Sequence, residues 1–395
     1  MKNLICREMV WPDEIDDMLS VRNAIFPPVS REEWLKHPTN TASMAYLEGV
    51  PIGAIPLDQR QFLIAPDKPI ATAFEHAVGT REDFRSRGIG GRMIEAAREF
   101  LAERCECLMV YRGAERSPGY KFYTKSGHHD LIYMRTLTWE PGDVQAEDTH
   151  AGDRDEIIAS QSELLRVYQQ AFAEYGGFPP RDTTYWERAL GDMIFAVLPQ
   201  TVLFVRYPAE GELQAYCIAT MRETFRADSV VTIMEIAGVN DDAVRELLKG
   251  VGAEAGTRGR TVSTIGSVDS PWRMVMRELG FVEGERHTMI MGQVIVPERL
   301  FAKACADTEA VDELKINVWA PGFDFPVWEG PNATREITVE GKDIMAIRLL
   351  NRRLDVKAAV EMDLLTIRGE QADDRERLAA ALPYCKWEYH KIDWT

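Results

Sequence analysis

Residues 76–101 read HAVGTREDFRSRGIGGRMIEAAREFL, and this stretch decides the fold of the chain. It begins as an apolar strand, continues as a basic loop rich in glycine, and ends as a helix with apolar residues at helical spacing. The loop follows the pattern R-x-x-G-x-G from Arg85 to Gly90. Gly88 and Gly90 lack the Cβ atoms that would keep backbone N–H groups from converging. The helix adds unpaired N–H groups and a positive dipole end, so the stretch predicts a pyrophosphate-binding loop.

Composition limits the partners of this protein. The formal net charge is −17, from 46 basic and 63 acidic residues. Because phosphate backbones are bound by clustered lysine and arginine, this balance argues against nucleic acid as the main partner. The charge is compatible with a cationic amine substrate, and it equally serves solubility alone.

Other features of the sequence give the expected class and location. The 395 residues suffice for two or three domains. No apolar run approaches the ~20 residues of a membrane span, and the first residues lack the apolar core of a signal peptide. The six cysteines are scattered, without metal-ligand spacing, so no metal is expected. We therefore expect a cytoplasmic protein with reduced thiols.

The order of elements predicts an α/β (α+β) chain of three domains. A polar, acidic stretch interrupts the pattern near Asp148, and the character of the sequence changes again at Val296. The predicted domains are residues 1–148, 149–295 and 296–395. In the third domain, strands are predicted at residues 314–319, 334–339, 344–349 and 358–365, followed by a helix at 373–382. The aromatic tail after residue 383 is predicted to dock, since free termini are generally loose.

The second domain repeats the order of the first: strand, turn, helix, strand, and a helix ending at a glycine, here Gly280. Its turn reads Gly238-Val239-Asn240 and is followed by Asp241 and Asp242. These two carboxylates stand where an anionic phosphate would have to lie. The second copy is therefore predicted to lack a pyrophosphate loop.

Two motifs of the first domain resemble those of the GNAT superfamily of N-acetyltransferases. The loop resembles its acetyl-CoA signature [QR]-x-x-G-x-[GA], and Phe122-Tyr123 followed by Gly127 resembles its FY-x-x-x-G element. The alternative for the loop is a strand-to-helix turn that only needs flexibility. The resemblance implies two tandem mixed-sheet domains of this type. It also implies cofactor contacts along the strand and loop, at Val78, Gly79, Thr80, Arg85, Ser86, Arg87, Gly88, Ile89, Gly90 and Gly91.

The resemblance also implies catalytic roles. A tyrosine at the position of Tyr123 protonates the CoA thiolate as it leaves, which suits a phenol; the alternative is that Tyr123 only packs and positions the cofactor. On the strand, either Glu75 or His76 accepts a proton from the amine, or one faces the core with a hydrogen-bond partner and the other faces solvent. The second interpretation is favoured. His128 and His129 are predicted at the surface.

Over nearly its whole length the chain resembles the enhanced intracellular survival (Eis) acetyltransferases. That resemblance implies a sterol-carrier-protein-like third domain, a homo-oligomer (a hexamer in that family), and multisite acetylation of amines, including aminoglycosides. It also implies a general base in the C-terminal carboxylate, here that of Thr395. The second domain is predicted to shape the substrate cleft, with Glu235 and residues 175–186 as its wall.

The predicted function is transfer of acetyl from acetyl-CoA to a primary amine of a cationic acceptor, such as an aminoglycoside, a polyamine or a lysine side chain. The amine attacks directly, and backbone N–H groups near Val78 polarise the thioester carbonyl. A lysine-modifying enzyme would act on a protein partner instead of a small molecule. The alternative from another class is a lipid- or small-molecule-binding protein whose acetyltransferase domain is a relic.

Overall fold

The computed structural model describes residues 3–35, 39–111, 118–146, 148–191, 201–221, 230–321, 323–369, 371 and 373–394. Its strands are β1 (Leu4–Glu8), β2 (Thr41–Leu47), β3 (Val50–Ala65), β4 (Lys68–Glu75), β5 (Gly79–Thr80), β6 (Cys107–Tyr111), β7 (His129–Trp139), β8 (His150–Gly152), β9 (Tyr175–Gly176), β10 (Val202–Ala209), β11 (Glu212–Thr220), β12 (Val230–Gly238), β13 (Thr261–Ser267), β14 (Val282–Val294), β15 (Leu314–Ala320), β16 (Phe323–Glu329), β17 (Arg335–Gly341), β18 (Leu365–Arg368) and β19 (Lys386–Trp387).

The helices are α1 (Ile15–Arg22), α2 (Arg31–Trp34), α3 (Ile89–Leu101), α4 (Pro118–Lys125), α5 (Arg154–Ala159), α6 (Gln161–Ala171), α7 (Tyr185–Gly191), α8 (Asp241–Gly256), α9 (Arg273–Glu278), α10 (Pro297–Ala304), α11 (Asp343–Leu350), α12 (Val356–Glu361) and α13 (Asp374–Ala381). Single 3₁₀ turns lie at Glu82–Phe84, Glu309–Val311 and Lys391–Trp394. The mixed α/β class predicted from the sequence is confirmed. Among the described residues, no helix is both long enough and apolar enough to cross a bilayer.

The chain divides into two compact units. Unit 1 comprises residues 1–132 and 288–386, and unit 2 comprises residues 133–287 and 387–395. Both units contain segments distant in the sequence, whereas the three predicted domains are consecutive. The predicted domain boundaries and the sterol-carrier-like character of residues 296–395 stay predictions.

Unit 1 contains a sheet in which β1, β2, β3 and β4 are neighbours and antiparallel, and β4 runs parallel to β6. Helix α3 connects these parallel strands and buries Met93, Ile94 and Ala97 against the sheet. A capping box begins α2, with Ser30 Oγ accepting from the Glu33 N–H. A second, four-stranded sheet has the order β16, β15, β17, β18.

Two elements of the third predicted domain are helices, and their prediction as strands was wrong. Residues 344–349 lie in α11, which buries Ala346, Leu349 and Leu350 at helical spacing. Short apolar runs of this kind fit a buried helix or strand equally well. Residues 358–361 lie in α12, which begins at Asp355 because that carboxylate caps the Ala358 N–H.

Unit 2 repeats the local arrangement of unit 1. Strands β12 and β13 are parallel and are connected by α8, as β4 and β6 are by α3. Strands β11, β10 and β8 follow β12 in antiparallel order. The order of strand, helix, strand and short helix predicted for this segment is confirmed.

The C-terminal tail packs within unit 2, as predicted. Trp387, Tyr389 and Ile392 are fully buried, and the Glu388 N–H donates to the Gly176 carbonyl oxygen. Asp393 and Glu235 both pair with the guanidinium of Arg181, whose side chain is 1% exposed. Glu235 is therefore enclosed by partners; it does not face an open cleft as predicted.

Aromatic rings and hydroxyls complete this buried ion cluster. The Arg181 Cζ atom lies 3.7 Å from the centroid of the Tyr168 ring, and Tyr185 and Tyr216 donate to Asp393 and Glu235. Burial alone would lower the pKa of the Arg181 guanidinium. The attractions of Glu235, Tyr168, Asp393 and Tyr185 together outweigh burial, so the pKa of Arg181 lies well above its usual value. Arg181 thus carries a permanent positive charge between two anions.

Candidate active site

A cavity of about 670 Å³ opens in unit 1 where β4 and β6 separate. Their last paired residues are Glu75 and Val110. Beyond this pair Ala77 has a φ of +41°, in the left-handed region that non-glycine residues rarely adopt. The chain then turns to β3, where Thr80 pairs with Gly53. The chain between residues 68 and 80 is thus two strands with an interruption between them, and the interruption makes the gap.

The glycine-rich loop forms one part of the cavity wall. Ser86 and Gly88 have φ values of +60° and +76°, and α3 begins directly after Gly88 without a side-chain cap. The Arg85 N–H donates to Glu82, and the Arg92 N–H donates to the Gly88 carbonyl oxygen. Between them, the N–H groups of residues 86–91 donate to no other described residue. Consecutive free amides at the positive end of a helix form an anion site.

Gly90 is required by close packing inside this wall. A Cβ atom at Gly90 would lie 2.6 Å from Cε2 of Phe122, on α4. Real Cβ contacts are essentially never that short, so a side chain here would push α4 away from the loop. The second glycine of the motif thus joins the loop to the helix that carries Tyr123.

The structure brings most of the predicted cofactor residues together. The residues on the cavity wall are Val78, Gly79, Thr80, Arg85, Ser86, Gly88, Ile89, Gly90 and Gly91. Arg87 is not among the lining residues; its guanidinium donates to the Asp83 carbonyl oxygen at 2.7 Å. The N–H of Val78 donates to no other described residue, which leaves it available to a ligand.

Tyr123 lines the same cavity, although it is distant from the loop in sequence. Its side chain is 6% exposed and packs with Val110 and Met291. Helix α4 positions it at the point where β6 leaves β4. The phenol and the amide-rich loop therefore belong to one site.

The prediction that His128 lies at the surface was wrong. Its side chain is fully buried, and Nε2 lies 2.7 Å from Oε1 of Glu75. Glu75 is thus the member of the Glu75–His76 pair that is buried, as the favoured interpretation expected of one of the two. His76 is half-buried, whereas that interpretation placed the second residue in solvent. Sequence reasoning missed the pairing because nothing local links a strand end to a residue more than fifty positions later.

Two further predictions from the sequence concern the general base and metal binding. Thr395, predicted as general base, lies outside the described residues. In the described part of the chain, no three His, Cys, Asp or Glu side chains are placed to hold a metal ion.

The corresponding helix start in unit 2 lacks the features of the loop. Helix α8 begins at Asn240, whose side-chain oxygen accepts from the Ala243 N–H at 2.8 Å. Asp241 and Asp242 occupy the first turn. A capped helix end flanked by carboxylates repels an anion, in contrast with the uncapped end at Gly88.

Comparison with known proteins places this site in a family. The model of the acetyltransferase (GNAT) family matches residues 6–128. No curated protein matches the chain. A GCN5-related N-acetyltransferase from Anabaena variabilis superposes with a TM-score of 0.70 at 12% identity, covering 97% of this chain and 98% of its own.

Two further solved structures share the fold. A probable N-acyltransferase from Enterococcus faecalis has a TM-score of 0.71 at 14% identity, covering 98% of this chain and 100% of its own. Eis1 from Mycobacterium abscessus has a TM-score of 0.63 at 13% identity, covering 96% of this chain and 99% of its own. At these identities the likeness is one of fold. Residues 6–128, which include the loop, α3 and Tyr123, form an acetyltransferase domain of the GNAT family.

Proposed function

We propose that this protein transfers acetyl from acetyl-CoA to a primary amine of a cationic acceptor. The observation that carries the proposal is the row of unpaired amides at residues 86–91, in one cavity with Tyr123. The family of residues 6–128 uses acetyl-CoA. Backbone amides that converge without a side-chain cap fit a diphosphate. They supply hydrogen-bond donors and positive potential, and no charged side chain has to be buried to provide them.

The cavity residues have separate roles in this proposal. The loop amides and Arg85 hold the pyrophosphate, and residues 78–80 lie along the gap where an extended pantetheine arm fits. Acetyl-CoA supplies an acetyl group activated as a thioester. The Val78 N–H points its dipole at the thioester carbonyl and stabilises the charge that develops on that oxygen.

Tyr123 acts as the general acid. As the carbon–sulfur bond breaks and the carbon–nitrogen bond forms, its O–H gives the proton that the departing sulfur takes. The ammonium group of the acceptor loses one proton to a general base before it attacks, and its nitrogen loses a second proton as the amide forms. That second proton restores the phenol of Tyr123. The terminal carboxylate of Thr395 is proposed for that role from the Eis resemblance alone. Glu75 does not suit it, because its carboxylate is enclosed and contacts His128.

A cationic acceptor suits the charge of this protein. The net charge of −17 attracts cations over distance and raises their encounter rate. Five aromatic residues line the cavity, and aromatic faces bind ammonium groups favourably; they are Phe26, Phe84, Tyr111, Phe122 and Tyr123. Aminoglycosides, polyamines and lysine side chains all have this chemistry.

A screen of amine acceptors tests the function directly. Purified protein is incubated with acetyl-CoA and single amines from these three classes, and released CoA thiol is measured. We expect amine-dependent thiol release with at least one class, together with an acetylated product of the expected mass. Acetyl-CoA binding without thiol release from any acceptor would contradict the proposal.

The loop assignment predicts the effect of Arg85→Glu. The substitution replaces an attraction to the diphosphate by a repulsion, and a charge-assisted hydrogen bond contributes about 1.5–3 kcal/mol. We expect the KM for acetyl-CoA to rise about 10- to 100-fold, measured by initial rates over a range of acetyl-CoA concentrations. Arg98→Glu is the matched control, because Arg98 is exposed in the last turn of the same helix. Equal KM values for the two variants would remove Arg85 from the site.

A further inference from the structure

We propose that His128 is a positioning residue for Tyr123, held in place by Glu75. The inference rests on the proposed function, because it assigns a role to the groups behind the general acid. His128, Glu75 and Tyr123 are all buried in unit 1. Neither the family's loop nor its tyrosine motif includes the histidine.

The backbone fixes His128 against Tyr123. Helix α4 ends at Lys125, and Gly127, two residues later, has a φ of +88°. The His128 N–H then donates to the Tyr123 carbonyl oxygen at 3.0 Å. This is the six-residue hydrogen-bonded ending common at helix C-termini. It returns the chain toward the tyrosine and places the side chain after the glycine beside the phenol.

The side chains make a second contact. The imidazole and phenol rings have centroids 5.2 Å apart and an angle of 72° between their planes. Edge-to-face pairs of this kind prefer a defined geometry. The plane of the imidazole therefore determines where the phenol ring lies on the cavity wall.

Glu75 determines the plane of the imidazole. Its Oε1 lies 2.7 Å from His128 Nε2, and both side chains have no exposed surface. This is a close N···O contact between two polar groups inside the protein. On the opposite edge of the ring, Nδ1 lies 3.5 Å from Nε2 of Gln293. The imidazole thus has a close polar neighbour at Nε2 and a more distant one at Nδ1.

Stability alone does not account for this pair. Burying two polar groups costs desolvation that a close contact repays only in part, and apolar replacements are often neutral or stabilising. The pair instead lies at Glu75–Val110, the last pairing before β4 and β6 separate. A rigid contact here transmits the position of the strand ends to the phenol of Tyr123.

The test compares Glu75→Gln with Glu75→Leu. Glutamine keeps an oxygen at the position that contacts the imidazole, whereas leucine replaces it with an apolar group. We expect Glu75→Gln to retain kcat within about threefold, and Glu75→Leu and His128→Leu to lose about 10- to 100-fold, because small misplacements of a catalytic group are that costly. The KM for acetyl-CoA should stay unchanged in all three variants, since neither residue belongs to the pyrophosphate loop, although Glu75 lies on the cavity wall. The unchanged KM also verifies folding.

A double-mutant cycle separates positioning from general structural damage. In a Tyr123→Phe background the proton donor is already absent, so Glu75→Leu should lower kcat no further. If the two substitutions lower kcat independently, so that the double variant shows the product of the two single losses, the proposal is overturned. A loss of kcat in Glu75→Gln as large as that in Glu75→Leu would also overturn the proposal. The negative charge of Glu75, and not its contact with the imidazole, would then be what activity requires.

The two proposals fail in different ways. An active wild-type protein whose Glu75→Leu variant keeps full kcat contradicts the positioning role alone. A wild-type protein that releases no thiol with any amine contradicts the proposed function, and the role of His128 falls with it. If His128→Leu does not fold, the Glu75 pair and the cycle with Tyr123 still decide the outcome.

Discussion

Tyr123→Phe should lower kcat for acetyl transfer by about 100-fold, since general acid catalysis contributes roughly 10²–10⁴-fold. The phenylalanine ring can keep the contacts with Val110, Met291 and His128, so the wall of the cavity is retained. What is lost is the proton given to the departing sulfur. Because that interaction exists only in the transition state, we expect the KM for acetyl-CoA to stay within about twofold.

The measurement is steady-state thiol release at saturating amine, with acetyl-CoA varied. Tyr120→Phe is the matched control on the same helix, because the Tyr120 hydroxyl donates to Asp130 at 3.1 Å and the residue is not among those lining the cavity. The control should keep its kcat. Full turnover by Tyr123→Phe would assign the residue to packing, the alternative left open by the sequence.

Arg181→Met should destabilise unit 2 by about 3–5 kcal/mol, because removing one partner leaves buried charges without compensation. Glu235 and Asp393 have side chains with no exposed surface. Methionine can fill the space beneath Tyr168 but cannot neutralise either carboxylate. Chemical denaturation followed by tryptophan fluorescence measures the change in the free energy of unfolding.

Two variants control this prediction. Arg188→Met removes a pair with Asp182 in which both side chains are more than half exposed, and exposed pairs contribute about 0–1 kcal/mol. The triple variant Arg181→Met with Glu235→Gln and Asp393→Asn removes the orphaned charges and should recover much of the loss. A single Arg181→Met variant as stable as Arg188→Met would show that the cluster contributes little.

The residues of these two predictions differ in whether the sequence alone can identify them. Tyr123 is found by its spacing to Gly127, a contiguous motif fixed by one helix and its glycine ending. Arg181 offers no such signal, since its partner Asp393 lies 212 residues further along the chain. The sequence analysis placed Glu235 in the wall of a substrate cleft that the second domain was predicted to shape. In the folded chain Glu235 instead accepts from the guanidinium of Arg181, the indole N–H of Trp186 and the hydroxyl of Tyr216.

Errors at the level of secondary structure have a similar origin. The runs at 344–349 and 358–365 are short and largely apolar. In a run of this length, apolar residues on one face fit the periodicity of a helix as well as that of a strand. For α12, the carboxylate of Asp355 as a helix cap was a local signal that could have corrected the prediction. For α11, only its packing decided between the two forms.

The sequence by itself determined the mixed α/β class, the glycine-rich loop with its helix, the docked aromatic tail and the place of Tyr123 in a motif. The loop, its helix and the tyrosine motif depend on residues within one or two turns of each other, whose conformations follow from local sterics and hydrogen bonding. The docking of the tail was predicted from its aromatic composition. The tertiary structure alone decided the interruption of the strand at Ala77, the pairing of Glu75 with His128 and the charge cluster at Arg181. Those features bring together groups from distant segments, and only the packed chain determines which buried charges meet.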